Sequence, residues 1–364
     1  MTLGNGQLGL MLGKAAKRLG IPFEAYSLPD AWNWLHEGLT EQAVVTFEQE
    51  HVNEQLLEEI RRRGIPSFPT WDSFLLLRSK LNQKRFLREQ GLPTGDFTAP
   101  ADWGPEAEEF LRKHGGGVIK AGKGGYDGQG VWLVDEKGQT TDGSARELWA
   151  KASEPYLEER VPFAFEAAAV AVRSHAGEAL VYPTVKSIQH EGVCFQVEYT
   201  REFALSPVGR EAGRIAKTIA EKLGYVGALA VEFFVMGDRV LVNEIAPRVH
   251  NSGHFTINVC AGSQFENHLR AGLGLPLLPV EPTHPAALMV NLLWPKDETD
   301  FSKLYTRLTC GREWPENVKL HWYGKSEIRP HRKMGHFTVY GKSIEECRRL
   351  GEQTLASRWV GASK

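Results

Sequence analysis

Two glutamates lie on the two arms of a predicted β-hairpin, where they could bind a metal ion together. The segment VEFFVMGDRVLVNEIAPR has two β-rich arms separated by MGDR, which is a typical hairpin composition. If Gly237–Arg239 form a three-residue loop, Glu232 lies directly opposite Glu244, and the two like charges repel. A Mg²⁺ ion between the carboxylates would remove this repulsion. A two-residue loop would instead pair Glu232 with Asn243, and two solvated glutamates on an exposed face are the alternative interpretation.

A glycine-rich loop could cover the phosphates of a nucleotide. The loop GKGGYDGQG spans residues 122–130, between the strand-like segments VIKA and VWLV. Glycine lets a ligand approach the backbone closely. A Walker P-loop needs Ser or Thr after Gly-Lys and then a helix, and this sequence has neither. The loop is therefore predicted to be a hairpin flap, with Lys120 and Lys123 as positive charges; a plain hairpin with a long turn is the alternative.

A second glycine motif, GNGQLG at Gly4–Gly9, precedes the helix-like segment LMLGKAAKRLG. It matches the GxGxxG dinucleotide pattern, in which an acidic residue about 20 positions later binds a ribose. Asp30 is near that distance but follows Pro29 in a predicted turn. The motif therefore favours a tight strand-to-helix turn that binds some other phosphate or none. Only Met1–Leu3 precede it, too few for a full central strand, so we expect a truncated or misassigned start.

The segment APRVHNSGH follows the predicted hairpin and combines charged and polar side chains. His250 and His254 have the spacing of a helical zinc pair, but the intervening residues are poor helix formers and no glutamate follows His250. Substrate recognition is the better interpretation. Arg248 would bind an anion, His250 would transfer a proton, and Asn251 and Ser252 would orient the substrate.

A basic cluster, HWYGKSEIRPHRKMGH, contains Lys325, Arg329, Arg332 and Lys333 together with three histidines. Arginine binds phosphate through two hydrogen bonds, whereas lysine acts as a point charge. The cluster could therefore bind a substrate phosphate, and a solvated charged surface is the alternative.

Composition limits the class of protein. The chain has 364 residues, which is long enough for two or three domains, and 42% of them are hydrophobic. Its 43 basic and 45 acidic residues give a net charge of -2, which predicts no attraction to nucleic acid or to an anionic membrane. The four cysteines have no CxxC spacing, and no segment resembles a signal peptide or a membrane span. The sequence therefore predicts a cytoplasmic protein with no nucleic-acid or membrane partner.

The predicted elements divide the chain into three parts of α/β and α+β character. Strands in PFEAYSL and EQAVVTFEQE alternate with helices and indicate a parallel-sheet domain over residues 1–75. A second domain is predicted over residues 76–285, with the glycine loop in a subdomain at about 96–157. Residues 286–364 form a small mixed domain that ends in the helix-like segment SIEECRRLGEQTLASRW.

Together these motifs resemble the ATP-grasp superfamily, and within it the 5-(carboxyamino)imidazole ribonucleotide synthetase family. The resemblance covers nearly the whole chain and is carried by GNGQLG, VVTFEQE, LNQK, VIKAGKGGYDGQG, KLGYVGALAVEFF, NEIAPRVHNSGH, SQFENHLRA, HWYGK and RPHRKMGH. It implies an ATP-grasp fold, preceded by a Rossmann-like (pre-ATP-grasp) parallel-sheet domain and followed by a small mixed C-terminal domain.

The resemblance also implies roles for individual residues. The implied ATP-binding residues are Lys80, Lys120, Gly124, Gly125, Tyr126, Gly128, Glu158, Val161, Glu166 and Asn243. The implied ligands of Mg²⁺, or of Mn²⁺, are Glu232 and Glu244. The implied substrate-binding residues are Tyr126, Asp127, Arg248, His250, Asn251, Ser252, Lys325 and Arg332. Of these, Asp127, Arg248, His250 and Lys325 are expected to act in catalysis, with His250 and Asp127 handling the amine proton.

The activity that the resemblance implies is an ATP- and bicarbonate-dependent carboxylation of 5-aminoimidazole ribonucleotide through carboxyphosphate. A homodimer and a downstream mutase are expected as well. Formate-dependent glycinamide ribonucleotide transformylase is the related alternative, and a nicotinamide-dependent oxidoreductase and a nucleotide sensor are the more distant ones. Two residues depart from the family pattern: Leu10 replaces an arginine, and Lys186 replaces a glutamate, which we expect to alter the edge of the nucleotide pocket.

Overall fold

The first part of the chain forms a small parallel sheet. The structure, a computed structural model, describes residues 1–38, 43–125, 129–296, 308 and 313–359. Strand β1 (Thr2–Leu3) lies between β2 (Ala25–Tyr26) and β3 (Thr46–Phe47), and all three run parallel. The predicted parallel sheet is confirmed, and its central strand has only two residues. The helices of this part are α1 (Gln7–Arg18), α2 (Leu28–Asn33) and α3 (Glu54–Arg62).

Two helices then lead into a four-stranded sheet that carries the glycine loop. These helices are α4 (Trp71–Leu77) and α5 (Lys80–Glu89). The sheet has the order β4-β9-β5-β6, formed by β4 (Phe97–Thr98), β5 (Gly117–Ala121), β6 (Val131–Val134) and β9 (Pro155–Glu158). It is accompanied by α6 (Pro105–His114), β7 (Gln139–Thr140), β8 (Gly143–Ser144) and α7 (Ala145–Lys151). Because β5 and β6 pair antiparallel on either side of the loop, the predicted hairpin is confirmed.

A nine-stranded antiparallel sheet forms the rest of the described molecule. Its order is β15-β14-β10-β12-β13-β16-β18-β17, with β11 beside β10. The strands are β10 (Phe165–Arg173), β11 (Ala179–Val181), β12 (Val185–His190), β13 (Val193–Thr200), β14 (Gly227–Met236), β15 (Arg239–Ala246), β16 (Ala286–Leu293), β17 (Val318–Trp322) and β18 (Lys333–Gly341). The helices are α8 (Arg201–Leu205), α9 (Pro207–Lys222), α10 (Thr256–Val259), α11 (Gln264–Gly272) and α12 (Ile344–Arg358).

Side chains of the central strand β10 pack on both faces of this sheet. Ala167, Ala169 and Ala171 belong to the core under α9, whereas Val170 and Val172 belong to the core shared with α1 and α11. This alternation follows from the two-residue period of a strand. The sheet therefore joins the first part of the chain to the second through one core.

The same sheet continues into the last part of the chain, because β13 pairs with β16. The proposed boundary at residues 285/286 therefore lies between strands of a continuous sheet. The predicted domain limits stay predictions. Among the described helices, none combines the length and the apolar character that a membrane span requires.

Candidate active site

The hairpin of β14 and β15 differs from the prediction in the length of its turn. Met236 pairs with Arg239, so two residues form the turn. The expected three-residue loop over Gly237–Arg239 is therefore wrong. Gly237 has a φ of 56°, the positive value that short hairpin turns require.

A β-bulge nevertheless brings the two glutamates into register. Phe233 pairs with Val242 and Glu232 pairs with Glu244, which leaves Asn243 as an extra residue between the two pairs. An extra residue shifts the register by one, and bulges often redirect side chains beside active sites. The opposition of Glu232 and Glu244 therefore results from the bulge and not from the turn.

The paired carboxylates have different electrostatic environments. Nζ of Lys80 lies 2.6 Å from Oε2 of Glu244, and Nε2 of His250 lies 3.4 Å from Oε1 of Glu232. Burial and the charge of Glu244 raise the pKa of Glu232. Burial alone would also raise the pKa of Glu244, but Lys80 outweighs it and holds that pKa low. Glu232 therefore keeps its proton more readily than Glu244, and a divalent cation at the pair would favour the form in which both carboxylates are ionised.

This pair suits a hard divalent cation. No group of three or more His, Cys, Asp or Glu side chains in the described ranges has the arrangement of a metal site. Mg²⁺ needs no such group, because it is usually held by one or two carboxylates together with substrate phosphates and water. Glu232 and Glu244 could hold the ion with their carboxylate oxygens while a bound nucleotide supplied the rest.

A buried ion-pair network lies beside the pair. Glu158 on β9 forms an ion pair with Lys84 of α5 through one oxygen, and its other oxygen lies 2.6 Å from Nζ of Lys120 on β5. Nζ of Lys120 also donates to Oδ1 of Asn243 at 3.1 Å. Burial acts to raise the pKa of Glu158, but the two lysines outweigh it and lower the pKa. Glu158 is therefore ionised and fixes the ammonium group of Lys120.

His250 presents a defined edge to the acidic pair. The backbone N–H of Ser252 donates to Nδ1 of His250 at 3.3 Å, so Nδ1 is an acceptor and the proton lies on Nε2, facing Glu232. Burial, with Arg248 and Lys333 nearby, lowers the pKa of His250 to about 3. The imidazole is therefore neutral near pH 7, and it can donate a hydrogen bond toward the carboxylates.

The other end of the site joins the first and last parts of the chain. Nζ of Lys325 donates to Oε1 of Gln7 at 2.9 Å and to the carbonyl of Lys333 at 2.7 Å. Nη2 of Arg248 lies 3.1 Å from Oε1 of Glu50. Burial, with nearby arginine and lysine charges, lowers the pKa of Lys325 to about 8. Lys325, Arg332 and Lys333 all line this end of the site and give it a positive character.

The GNGQLG turn surrounds a carboxylate of the protein itself. The N–H groups of Gly6 and Leu8 donate to Glu48 at 2.6 and 3.0 Å, at the start of α1. A Cβ atom on Gly4 would lie 2.7 Å from Cβ of Glu48, which explains the glycine there. The helix amides that would bind a dinucleotide phosphate are therefore already occupied.

A cavity of about 1300 Å³ connects these features. The predicted site residues that line it are Lys80, Lys120, Gly124, Gly125, Glu158, Val161, Glu166, Glu232, Asn243, Glu244, Arg248, His250, Asn251, Lys325 and Arg332. Ser252 does not line it; this serine is buried behind His250. Tyr126, Asp127 and Gly128 lie outside the described residues. All but four of the predicted residues therefore meet at one cavity.

Comparisons with known proteins agree with this arrangement. The family description "ATP-grasp domain" matches residues 85–265, and "Phosphoribosylaminoimidazole carboxylase C-terminal domain" matches residues 287–350. The N5-carboxyaminoimidazole ribonucleotide synthase of Saccharolobus solfataricus is 35% identical over 95% of this chain and 92% of its own length. The one from Haemophilus influenzae is also 35% identical, over 93% of this chain and 87% of its own length. The chain belongs to the N5-carboxyaminoimidazole ribonucleotide synthase family.

Solved structures of this family share the fold over the full chain. The N5-carboxyaminoimidazole ribonucleotide synthetase of Thermus thermophilus is 33% identical, with a TM-score of 0.81 over 100% of this chain and 99% of that one. The Aspergillus clavatus enzyme, solved with ADP and 5-aminoimidazole ribonucleotide, is 28% identical, with a TM-score of 0.79 over 98% and 97% of the two chains. The resemblance inferred from the motifs and the ATP-grasp fold are both confirmed.

Neither of the two residues that depart from the family pattern lines the cavity. Lys186 does not line the cavity; its Nζ lies 4.8 Å from the ring centre of Phe165 and 5.2 Å from that of Phe203. The expected effect of Lys186 on the pocket edge stays a prediction. Leu10 is 37% exposed on α1 and does not line the cavity either.

Several residues that support the site were not predicted from the sequence. Two of them form ion pairs with predicted site residues, Lys84 with Glu158 and Glu50 with Arg248. The other two bond to backbone groups that line the cavity, Gln83 to Ile245 and Glu48 to Gly6. Gln83 and Lys84 belong to the LNQK motif, and Glu48 and Glu50 belong to VVTFEQE. Both motifs supported the family resemblance, but their spacing alone indicated no chemistry.

Proposed function

We propose that this chain uses ATP and bicarbonate to carboxylate the exocyclic amine of 5-aminoimidazole ribonucleotide in de novo purine biosynthesis. The products are 5-(carboxyamino)imidazole ribonucleotide, ADP and phosphate. The observation that carries the proposal is the pair Glu232 and Glu244, set opposite each other in a cavity that also contains Lys80 and Lys120. Membership of the N5-carboxyaminoimidazole ribonucleotide synthase family supports the choice of substrate.

The nucleotide end of the cavity combines cations with apolar walls. Lys80 and Lys120 would bind phosphates, and the segment from Glu158 to Val161 would bind the adenine. Phe163 stacks on Phe234 with ring centres 4.5 Å apart, which gives a flat apolar surface beside that segment. Adenine binding is favoured by such surfaces combined with a few polar groups. We therefore assign this end of the cavity to ATP.

The acidic pair would hold the divalent metal that the reaction needs. When bound there, Mg²⁺, or Mn²⁺ in its place, would neutralise charge on the phosphoryl group during transfer. Glu232 and Glu244 would hold it, and Lys80 and Lys120 would add positive charge beside the transferring group. His250 would support Glu232 through its Nε2–H.

The opposite end would bind the ribonucleotide. Lys325 and Arg332 line the cavity and would bind the substrate phosphate, Lys325 as a point charge and Arg332 through its planar guanidinium. Arg248 and Asn251 would contact the aminoimidazole and the carboxylating centre. Tyr126 and Asp127 are proposed to complete this region, with His250 and Asp127 handling the amine proton.

The reaction needs a closed site because its intermediate is unstable in water. A bicarbonate oxygen would attack the γ-phosphorus of ATP, releasing ADP and forming carboxyphosphate. Breakage of the bond between carbon and the bridging oxygen would then release phosphate and CO2. The exocyclic nitrogen would attack the carbon and lose one proton, giving the carbamate. The glycine flap between β5 and β6 would exclude water during these steps.

The activity can be tested by ADP release. With bicarbonate present, we expect ADP release to depend on added 5-aminoimidazole ribonucleotide. Omission of bicarbonate should reduce it. Equal turnover with formate and glycinamide ribonucleotide would contradict the proposal and favour the transformylase.

The acidic pair has its own test. Glu244→Gln is expected to reduce ATP turnover by about 10²-fold or more, because the variant loses the charge that holds the metal. Asp238→Asn, in the turn of the same hairpin, is a matched control that should keep wild-type turnover. Full activity of Glu244→Gln would refute the metal role.

We further propose a cytoplasmic homodimer that passes its unstable carbamate to a mutase. The family resemblance supports both partners. Light scattering on the purified protein should give twice the monomer mass of 40.7 kDa, and a monomer at micromolar concentration would refute the dimer.

A further inference from the structure

The strand that carries Glu244 is an edge strand of the large sheet. β15 pairs with β14 on one side and is the last strand in the sheet order. Edge strands have backbone N–H and C=O groups without a neighbouring strand. In this hairpin, those groups are bonded by side chains of α5 and by the segment that follows it.

Gln83 replaces a neighbouring strand at one end of the bulge. Its Oε1 accepts from the N–H of Ile245 at 2.8 Å, and its Nε2 donates to the carbonyl of Ile245 at 2.8 Å. The same Nε2 donates to the carbonyl of Leu77 at 2.8 Å. Gln83 is only 4% exposed, so these hydrogen bonds are not exchanged for bonds to water. Ile245 is thereby fixed directly after Glu244.

Lys84 and its neighbours fix the other end. The carbonyl of Val242 accepts from Nζ of Lys84 at 3.1 Å and from Oγ1 of Thr94 at 3.0 Å. The N–H of Val242 donates to the carbonyl of Pro93 at 2.8 Å. Both sides of the two-residue segment Asn243–Glu244 are therefore attached to a part of the chain outside the hairpin.

The alternative register shows why this matters. With a two-residue turn and no bulge, Glu232 would pair with Asn243, and Glu244 would point to the other face of the ribbon. We propose that Gln83 and Lys84 are positioning residues that hold the bulge at Asn243 and so keep Glu244 opposite Glu232. The expected effect of Gln83 and Lys84 on metal binding rests on the proposed function, whereas their expected effect on the register of β14 and β15 does not.

The first test replaces Gln83 and follows both backbone protection and metal binding. Gln83→Met keeps the side-chain volume but removes the three hydrogen bonds. Gln90→Met, at the exposed residue that follows the same helix, is the matched control. In hydrogen exchange, amides of residues 240–246 should exchange about 10-fold faster in Gln83→Met, with β10 unchanged. Mn²⁺ affinity of the ADP complex, measured by electron paramagnetic resonance, should fall about 10- to 100-fold.

A milder variant keeps the test decisive if Gln83→Met does not fold. Thr94→Val removes one hydroxyl donor to Val242 and is expected to change both measurements in the same direction by a smaller factor. Wild-type exchange and wild-type Mn²⁺ affinity in the folded variants would overturn the proposal. If both measurements change as expected but the wild-type protein does not carboxylate aminoimidazole ribonucleotide, the positioning role stands and the proposed function fails.

Discussion

The network of Lys84, Glu158 and Lys120 makes a prediction about charge balance. Two lysines share one carboxylate, so the network carries a net charge of +1 under the proposed phosphate site. Lys84 and Glu158 are each 1% exposed, which means that water cannot replace a lost partner. Removing one member of a buried pair usually costs about 3–5 kcal/mol, because the other charge stays buried.

The perturbation is a double-mutant cycle. Glu158→Gln leaves the buried Lys84 without its ion-pair partner and should lower the free energy of unfolding by about 3–5 kcal/mol, whereas Lys84→Met leaves Glu158 paired with Lys120 and should cost less. The double variant removes both members of the buried pair and leaves only Lys120, which lines the cavity, so we expect it to cost less than the sum of the two single variants. This non-additivity is the coupling energy of neighbouring groups.

Urea unfolding followed by tryptophan fluorescence measures these free energies, and the slope with denaturant should stay unchanged. ADP affinity gives a second readout. Lys84→Met leaves Glu158 paired with Lys120 alone, which cancels the charge of Lys120 and weakens ADP binding, whereas the double variant restores the cation. Additive losses of stability, together with ADP affinity no better in the double variant, would refute the charge-balance reasoning.

Three further outcomes are expected. Burial lowers the pKa of His254 and His268 in the folded protein, so as the pH falls these histidines take up protons in the unfolded chain before they do so in the folded one. The free energy of unfolding should therefore be highest above about pH 6.5 and should decrease as the pH falls. A free energy of unfolding that does not change between about pH 7 and 5 would contradict this. Burial lowers the pKa of Lys325 to about 8, so this side chain loses its positive charge as the pH rises through that value, and kcat/KM for the ribonucleotide should fall. A kcat/KM that stays constant over this range would exclude Lys325 as the phosphate-binding cation. Gly6→Ala should lower the free energy of unfolding by about 1–3 kcal/mol, because the added Cβ atom would collide with the carboxylate of Glu48. Gly13→Ala, on the same helix, is the control because its Cβ atom would make only ordinary contacts. Equal melting temperatures of the two variants would contradict this reasoning.

The opposed carboxylates could be predicted from the sequence, although for an incomplete reason. Strand alternation put Glu232 opposite Glu244 only if the turn had three residues. The turn has two, and the bulge at Asn243 supplies the missing shift. No local composition indicates this bulge, because the hydrogen bonds that hold it come from Gln83, 162 residues before Ile245.

The buried lysine could not be predicted for a similar reason. A lysine in a helical pattern is normally exposed. Lys84 is buried because Glu158, 74 residues later, accepts its charge. The parallel sheet and the glycine hairpin were predictable because they depend on local periodicity and on motifs. Most of the predicted site residues line one cavity, and their individual roles stay predictions. Contacts between distant buried polar groups depend on the complete fold and have no local signature.

The carboxylate in the GNGQLG turn has a consequence for nucleotide selection. A phosphate that approached the start of α1 would have to displace Glu48, a negative charge that already holds both amides. The amides of Gly6 and Leu8 are therefore not free to bind a dinucleotide phosphate, and selection among nucleotides depends on the central cavity as a whole. A search for nicotinamide enzymes by glycine spacing would select this chain wrongly, and an acidic residue placed directly after β3 is the feature that distinguishes it.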